Sequence, residues 1–178
     1  MRLLWVLAFL LASPAMAQMI VSGAPKTTVS LGTGGAVPVT GTVTETNLVA
    51  VKVPAGTLGA NGRAECDIFF TYPTSANTKN LIARAATTSG AISGGTIYLN
   101  QSSTTTTSFR ASIFIQNQNA TNSQVGGPNT IAFGTSSAAL ITSAIDTTAD
   151  FWININAIVA GAGEVVTLTS YRCLAWTP

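Results

Sequence analysis

The sequence predicts an all-β fold, a jelly-roll-like antiparallel β-sandwich of about eight strands with an extended N-terminal arm. Three observations lead there. Beyond the first 17 residues helical periodicity is hard to find, while short alternating runs rich in Val, Ile, Thr, Phe and Tyr recur. Clusters of Gly, Pro, Asn and Ser punctuate those runs with turn chemistry. A count of about eight runs suits a double-sheet jelly roll better than a small closed barrel.

Residues 1–17, MRLLWVLAFLLASPAMA, pass from one basic residue, Arg2, through an apolar stretch to Ala15-Met16-Ala17. That order predicts a secretory signal peptide cleaved after Ala17. A retained anchor needs roughly 20 apolar residues, and Pro14 and the small residues interrupt this run earlier. Cleavage leaves 178 less 17 residues, or 161 from Gln18 onward, enough for one domain with a substantial core. Residues 18–41 carry Gly and Pro every few positions and are expected to form the arm, with one or two short strands, packed on a neighbour. The β-sandwich domain is expected over 42–178.

Within that domain TVTETNLVAVKVP alternates Leu48, Val49, Val51 and Val53 with polar partners and stops at Pro54. The turn-rich PAGTLGANG leads to RAECDIFFTYP, where Ala64, Cys66, Ile68 and Phe70 share one face and Glu65, Asp67 and Phe69 the other. Strands follow in NTKNLIARAATT, GTIYLNQ and SFRASIFIQNQN, the last with Phe109, Ala111, Ile113 and Ile115 inward and Phe114 outward. The polar NQNATNSQVGGPNT is the expected exposed loop, before two weaker strands around Ile131–Phe133 and Ala138–Ile141. TADFWININAIVA places Phe151, Ile153, Ile155 and Val159 inward and Trp152, Asn154 and Asn156 outward. In EVVTLTSYRCLAW, Leu168 and Tyr171 are three apart, so a bulge near Thr169 and Ser170 is needed for both to face inward with Cys173.

Composition narrows the function. Charged residues make up 8% of the chain, and removal of Arg2 leaves seven basic against six acidic residues, a net charge of about +1 without a basic run. The electrostatic footprint of a nucleic-acid binder is missing. No apolar segment after the leader approaches spanning length, so no membrane partner is expected after cleavage. Histidine is absent, which removes the usual general base and with it Ser-His-Asp, Cys-His and most zinc chemistry. No cofactor and no metal is expected. Cys66 and Cys173 would reach an oxidising compartment, where a disulfide is expected in preference to two buried thiols.

Several groups could still carry chemistry. Glu65 and Asp67 lie at i and i+2 on one strand face, roughly 7 Å apart, a separation that glycoside-hydrolase carboxylate pairs also use, against the plainer reading of a solvated strand face. Asp146 and Asp150 flank a turn and could offer oxygens to calcium or simply cap it. LGTGG (31–35) and VGGP (125–128) lack the lysine and the helix of a phosphate loop and read as turns. Outward Phe114 and Trp152 mark either an interface or sugar platform, or rings covered by the arm or another subunit. Asn117, Asn119, Asn122 and Gln124 in the polar loop are candidate binding residues. Asn119-Ala120-Thr121 and Asn100-Gln101-Ser102 fit the N-glycosylation pattern.

TVTETNLVAVKVPAGTLGANG, NTKNLIAR, NATNSQVGG and AIDTTAD resemble a group of small proteins encoded among phage virion genes, over about Thr42 to Tyr171. The resemblance implies a β-sandwich of the tail-fibre or capsid-associated kind, structural or host-binding, with no catalytic residue to carry over. The leader and the cysteine pair depart from that group, since virion proteins assembled in the cytoplasm need neither. The expected role is therefore non-enzymatic, in assembly or surface attachment. Expected partners are further copies in a homo-oligomer, other virion or surface proteins, and surface glycan, at a periplasmic, extracellular or virion-surface location. A secreted lectin-like module is the alternative, and a glycoside hydrolase or lyase a more distant one.

Overall fold

The computed structural model describes residues 28–35, 37–41, 43–127 and 140–177. The expected leader, the start of the arm, the end of the polar loop and the weak strand at 131–133 lie outside the described residues. Eleven strands are described: β1 Thr28–Gly34, β2 Val37–Thr40, β3 Thr46–Val53, β4 Arg63–Thr71, β5 Lys79–Ala86, β6 Thr96–Ser103, β7 Ser108–Asn117, β8 Gln124–Gly126, β9 Ile141–Ser143, β10 Phe151–Val159 and β11 Val165–Trp176. No helix occurs among the described residues.

The strands form two antiparallel sheets, one of seven strands in the order β1-β11-β4-β7-β8-β9 with β2 also on β11, and one of four in the order β3-β10-β5-β6. The chain changes sheet between β2 and β3, β3 and β4, β4 and β5, β6 and β7, β9 and β10, and β10 and β11. This is jelly-roll connectivity, two Greek keys folded face to face. Its eight positions are filled differently from the sequence reading. Seven come from β3, β4, β5, β6, β7, β10 and β11, and the eighth is shared by β1 and β2, which pair with β11 of their own chain. β8 lies inside the stretch expected to be an exposed loop, and with β9 it extends the larger sheet beyond β7.

Inward residues of both sheets make one core, with Val53, Ile68, Leu81, Ile155 and Leu168 fully buried. Of four ladder irregularities among the described residues, three adjust which side chains the strands bury. The β10–β3 register skips Leu48, and that extra residue is buried although it is out of phase with Val51 and Val53. The β5–β6 register skips Tyr98, so Tyr98 and Leu99 are both buried. The β11–β4 register shifts between Leu168 and Ser170, where the phase break demanded a bulge, and Leu168 and Cys173 are then both inward with Tyr171 packed on the core.

Cys66 and Cys173 stand directly opposite on β4 and β11 and are disulfide-bonded, 107 residues apart in sequence and each 0% exposed. The bond therefore closes a loop containing every strand from β5 to β10.

The outer face of the four-stranded sheet is not the solvated surface that alternation along β10 implied. Asn154 and Asn156 are each 0% exposed, because residues 87–95, between β5 and β6, cross over them. Asn154 Oδ1 accepts from the Gly90 N–H at 2.7 Å and its amide donates to the Thr88 carbonyl at 3.2 Å. The Asn156 amide donates to the Ala91 carbonyl at 2.9 Å and to Glu45. Glu45 in turn accepts two bonds from Arg84 on β5, at 3.0 Å from Nε and 2.6 Å from Nη2, and Arg84 Nη1 reaches the Gly94 carbonyl at 2.6 Å. Polar side chains are buried here because each has a partner.

Candidate functional site

The outer face of the larger sheet is set by its strand order. β4 lies between β11 and β7, so Arg172 and Ser112 flank Asp67, Ser170 and Arg110 flank Phe69, and Leu174 and Phe114 flank Glu65. Of the chain's eight basic and six acidic residues, three arginines and two acids meet on this face.

They divide into a closed set and an open one. In the closed set Arg63 donates to Glu65 at 2.7 Å and lies 4.2 Å from the centre of the Phe114 ring, while Ser112 donates to the other Glu65 oxygen at 3.2 Å. Gly127 backs that ring, and a Cβ there would come within 2.7 Å of it. Phe114 is therefore partly covered on both sides rather than presented outward.

In the open set Asp67 lies 3.5 Å from Arg110 and 3.6 Å from Arg172, distances of charge attraction rather than of hydrogen bonding. Both arginine side chains remain more than 60% exposed, at 64% and 63%. Arg110 sits 5.1 Å from the centre of the Phe69 ring, which is itself 39% exposed. With Thr33, Gly34, Ser170 and Tyr171 these side chains line a cleft of about 440 Å³. Gly34 admits β1 against the Tyr171 ring, since a Cβ there would come within 2.9 Å of it. Phe69 faces out as alternation along β4 predicts. The two arginines and Tyr171 are 40 or more positions away in sequence, and only the ladders bring them to Asp67.

The candidate loop residues separate. Asn117 and Gln124 are each 1% exposed and belong to the interior. Asn117 donates to the Gly59 carbonyl and to Thr147 Oγ1 at 2.8 Å, and accepts from Gln124 at 2.9 Å. Gln124 also donates to the Ile145 carbonyl and accepts from the Ile145 N–H, at 3.0 and 2.8 Å. These amides tie together the chain segments at one end of the sandwich and are not free to meet a ligand. Asn119 and Asn122 are exposed, Asn119 in the left-handed region at φ 56° with its N–H on Asn61 Oδ1 at 2.9 Å. Asn122 borders a shallow depression of about 650 Å³ with Thr121, Asp146 and Thr148. Trp152 is half-buried on the other sheet, between Lys52 and Ala86 in register.

The remaining acids sit in local arrangements. Asp146 accepts from the Thr148 hydroxyl at 2.6 Å and the Thr148 N–H at 2.9 Å, the turn-capping arrangement. Asp150 pairs with Lys52 at 2.6 Å and accepts from the Ala55 N–H at 2.9 Å. Among the described residues no group of three His, Cys, Asp or Glu comes together in a metal-binding arrangement. Fully buried Lys79 donates to Ser75 Oγ at 2.6 Å and the Thr104 carbonyl at 2.9 Å, with Glu164 at 3.7 Å.

These bonds move three carboxyls below their ordinary range: Asp146 through the Thr148 hydroxyl, Asp150 through Lys52, and Glu164 through the Ser75 hydroxyl and then the charge of Lys79. Burial moves the Tyr98 phenol above its ordinary range, against the Ser143 hydrogen bond. A depressed carboxyl contributes stability that is present above the unfolded pKa and lost as pH falls through the folded one. A raised phenol contributes stability that is lost as pH rises past the unfolded pKa. With no histidine to titrate between them, the melting temperature is expected to stay level from about pH 5 to about pH 9 and to fall on both sides. Thermal melts across that range check this, and a fall of several degrees between about pH 7 and pH 5.5 would contradict it.

No protein-family model and no curated protein matches the sequence. Among solved structures, the chain is similar to a chain in the structure of infectious bursal disease virus Gx strain, at 10% identity and a TM-score of 0.31, over 85% of this chain and 36% of that one. A chain in the Gt strain structure is similar at 10% identity and a TM-score of 0.20, over 98% and 47%. This chain spans less than half the length of either, and at such TM-scores the likeness carries no argument about function.

Proposed function

We propose that this chain is a non-enzymatic jelly-roll protein of the phage-virion type, exported and homo-oligomeric, which works by assembly or by surface attachment. The observation that carries this reading is the use made of charge. Every described acid except Asp146 lies within 4 Å of a cation, so these carboxylates serve as partners rather than as free acids or bases. The rest of the surface is rich in Thr, Ser, Gly and Asn, which suits close subunit packing with little charge to desolvate. A buried disulfide suits a location outside the reducing cytoplasm.

Gel filtration with light scattering tests the assembly part. The protein is expected to run as a multiple of the subunit mass down to about micromolar concentration. A mass of one subunit at every concentration would rule assembly out. The attachment part, as a glycan-binding module, is favoured by the open cleft beside Phe69, where exposed guanidinium groups and an exposed aromatic ring share one cavity.

A further inference from the structure

We propose that the cleft between Arg110 and Arg172 is a subsite for a carboxylate-bearing sugar residue of an acidic polysaccharide. The proposal rests on the attachment reading above and names its ligand class. Two guanidinium groups face a single carboxylate, Asp67, which leaves the cleft one positive charge in excess. A guanidinium has five N–H donors. Asp67 engages Arg110 and Arg172 only at 3.5 and 3.6 Å, so both forks keep donors free to hold a second carboxylate in bidentate fashion. The neighbouring Arg63 shows the contrast, for it is hydrogen-bonded to Glu65 and stacked on the partly covered Phe114 ring.

The rest of the cleft suits a sugar ring. Phe69 offers an exposed apolar face, and Thr33 and Ser170 offer hydroxyls at the rim. A cleft of about 440 Å³ is large enough for one or two such residues.

Isothermal titration of the full disulfide-bonded protein with a uronic-acid tetrasaccharide tests the proposal. Binding is expected, weakened about tenfold or more by Arg172→Ala and by Arg110→Ala, since a charge-assisted hydrogen bond contributes about that factor. Phe69→Ala should weaken it as well, whereas Trp152→Ala, on the other sheet, should leave it unchanged. Both arginines are exposed, so these variants are expected to fold, and an unchanged melting temperature verifies that each has. Arg172→Lys, which keeps the charge and removes the fork, should lie between the wild type and Arg172→Ala. The carboxyl-reduced tetrasaccharide should bind at least about tenfold more weakly.

Absence of binding, equal binding of the neutral sugar, or indifference to both arginine substitutions would overturn the proposal. So would equally tight binding of inorganic phosphate or of a polyglutamate peptide, because the site would then recognise anionic charge alone. Failure here with a stable oligomer in light scattering leaves the assembly reading standing. A monomer that binds the sugar in the expected pattern reverses that division.

Discussion

Arg84→Ala is expected to destabilise the fold by about 3–5 kcal/mol, because it leaves the Glu45 carboxylate desolvated without its cation. The two side chains are only 7% and 12% exposed and are joined by two hydrogen bonds, and Glu45 also holds the Asn156 amide. Loss of Arg84 further strips the Gly94 carbonyl of its donor, which loosens the 87–95 segment from the sheet it covers. For a chain of this size the loss corresponds to a drop of roughly 10 °C in melting temperature. Replacing both partners, as Arg84→Met with Glu45→Leu, should recover a good part of the loss, since apolar residues of similar volume can substitute for a buried pair. Thermal melts of the wild type, Arg84→Ala and the double variant measure both effects. Equal stability of Arg84→Ala and wild type would mean that residues 87–95 do not seal this face.

Removal of the disulfide is the other large effect. Cys66→Ala with Cys173→Ala is expected to cost about 4 kcal/mol, mainly because a loop of 107 residues is no longer closed in the unfolded chain. Wild-type protein melted with a reductant should approach the same value, to the extent that the reductant reaches a bond with 0% exposure at both ends. Urea unfolding of both forms measures the difference. A double-alanine variant that unfolds at the wild-type midpoint would show that the bond contributes nothing beyond the packing of β4 on β11.

Much of the architecture could be read from local pattern. Alternation along β4, β7 and β10 identified the core face, because a pleated strand with one buried side forces a period of two. The three-residue step from Leu168 to Tyr171 called for a bulge, and a register shift lies there. What local pattern missed depends on neighbours distant in sequence. Asn154 and Asn156 read as solvent-facing, yet the Thr, Ser, Gly and Ala of residues 87–95 bury them by supplying backbone partners. Asn117 and Gln124 read as a binding loop for the same reason, since an amide shows nothing in sequence of whether protein or water will satisfy it. β8 is three residues long and too short for a periodic signal. The cleft at Asp67 went unseen because its two arginines, Arg110 and Arg172, lie 43 and 105 positions away in sequence. Its composition is fixed only once β11 and β7 are known to flank β4.

Native mass spectrometry of protein recovered from an oxidising compartment, expressed under its own leader, tests the central claim of an exported, disulfide-closed jelly roll that acts by contact with others of its kind. The predicted result is an assembly of subunits that begin at Gln18, each about 2 Da lighter before reduction than after it. A full-length, monomeric chain with two free thiols would contradict it.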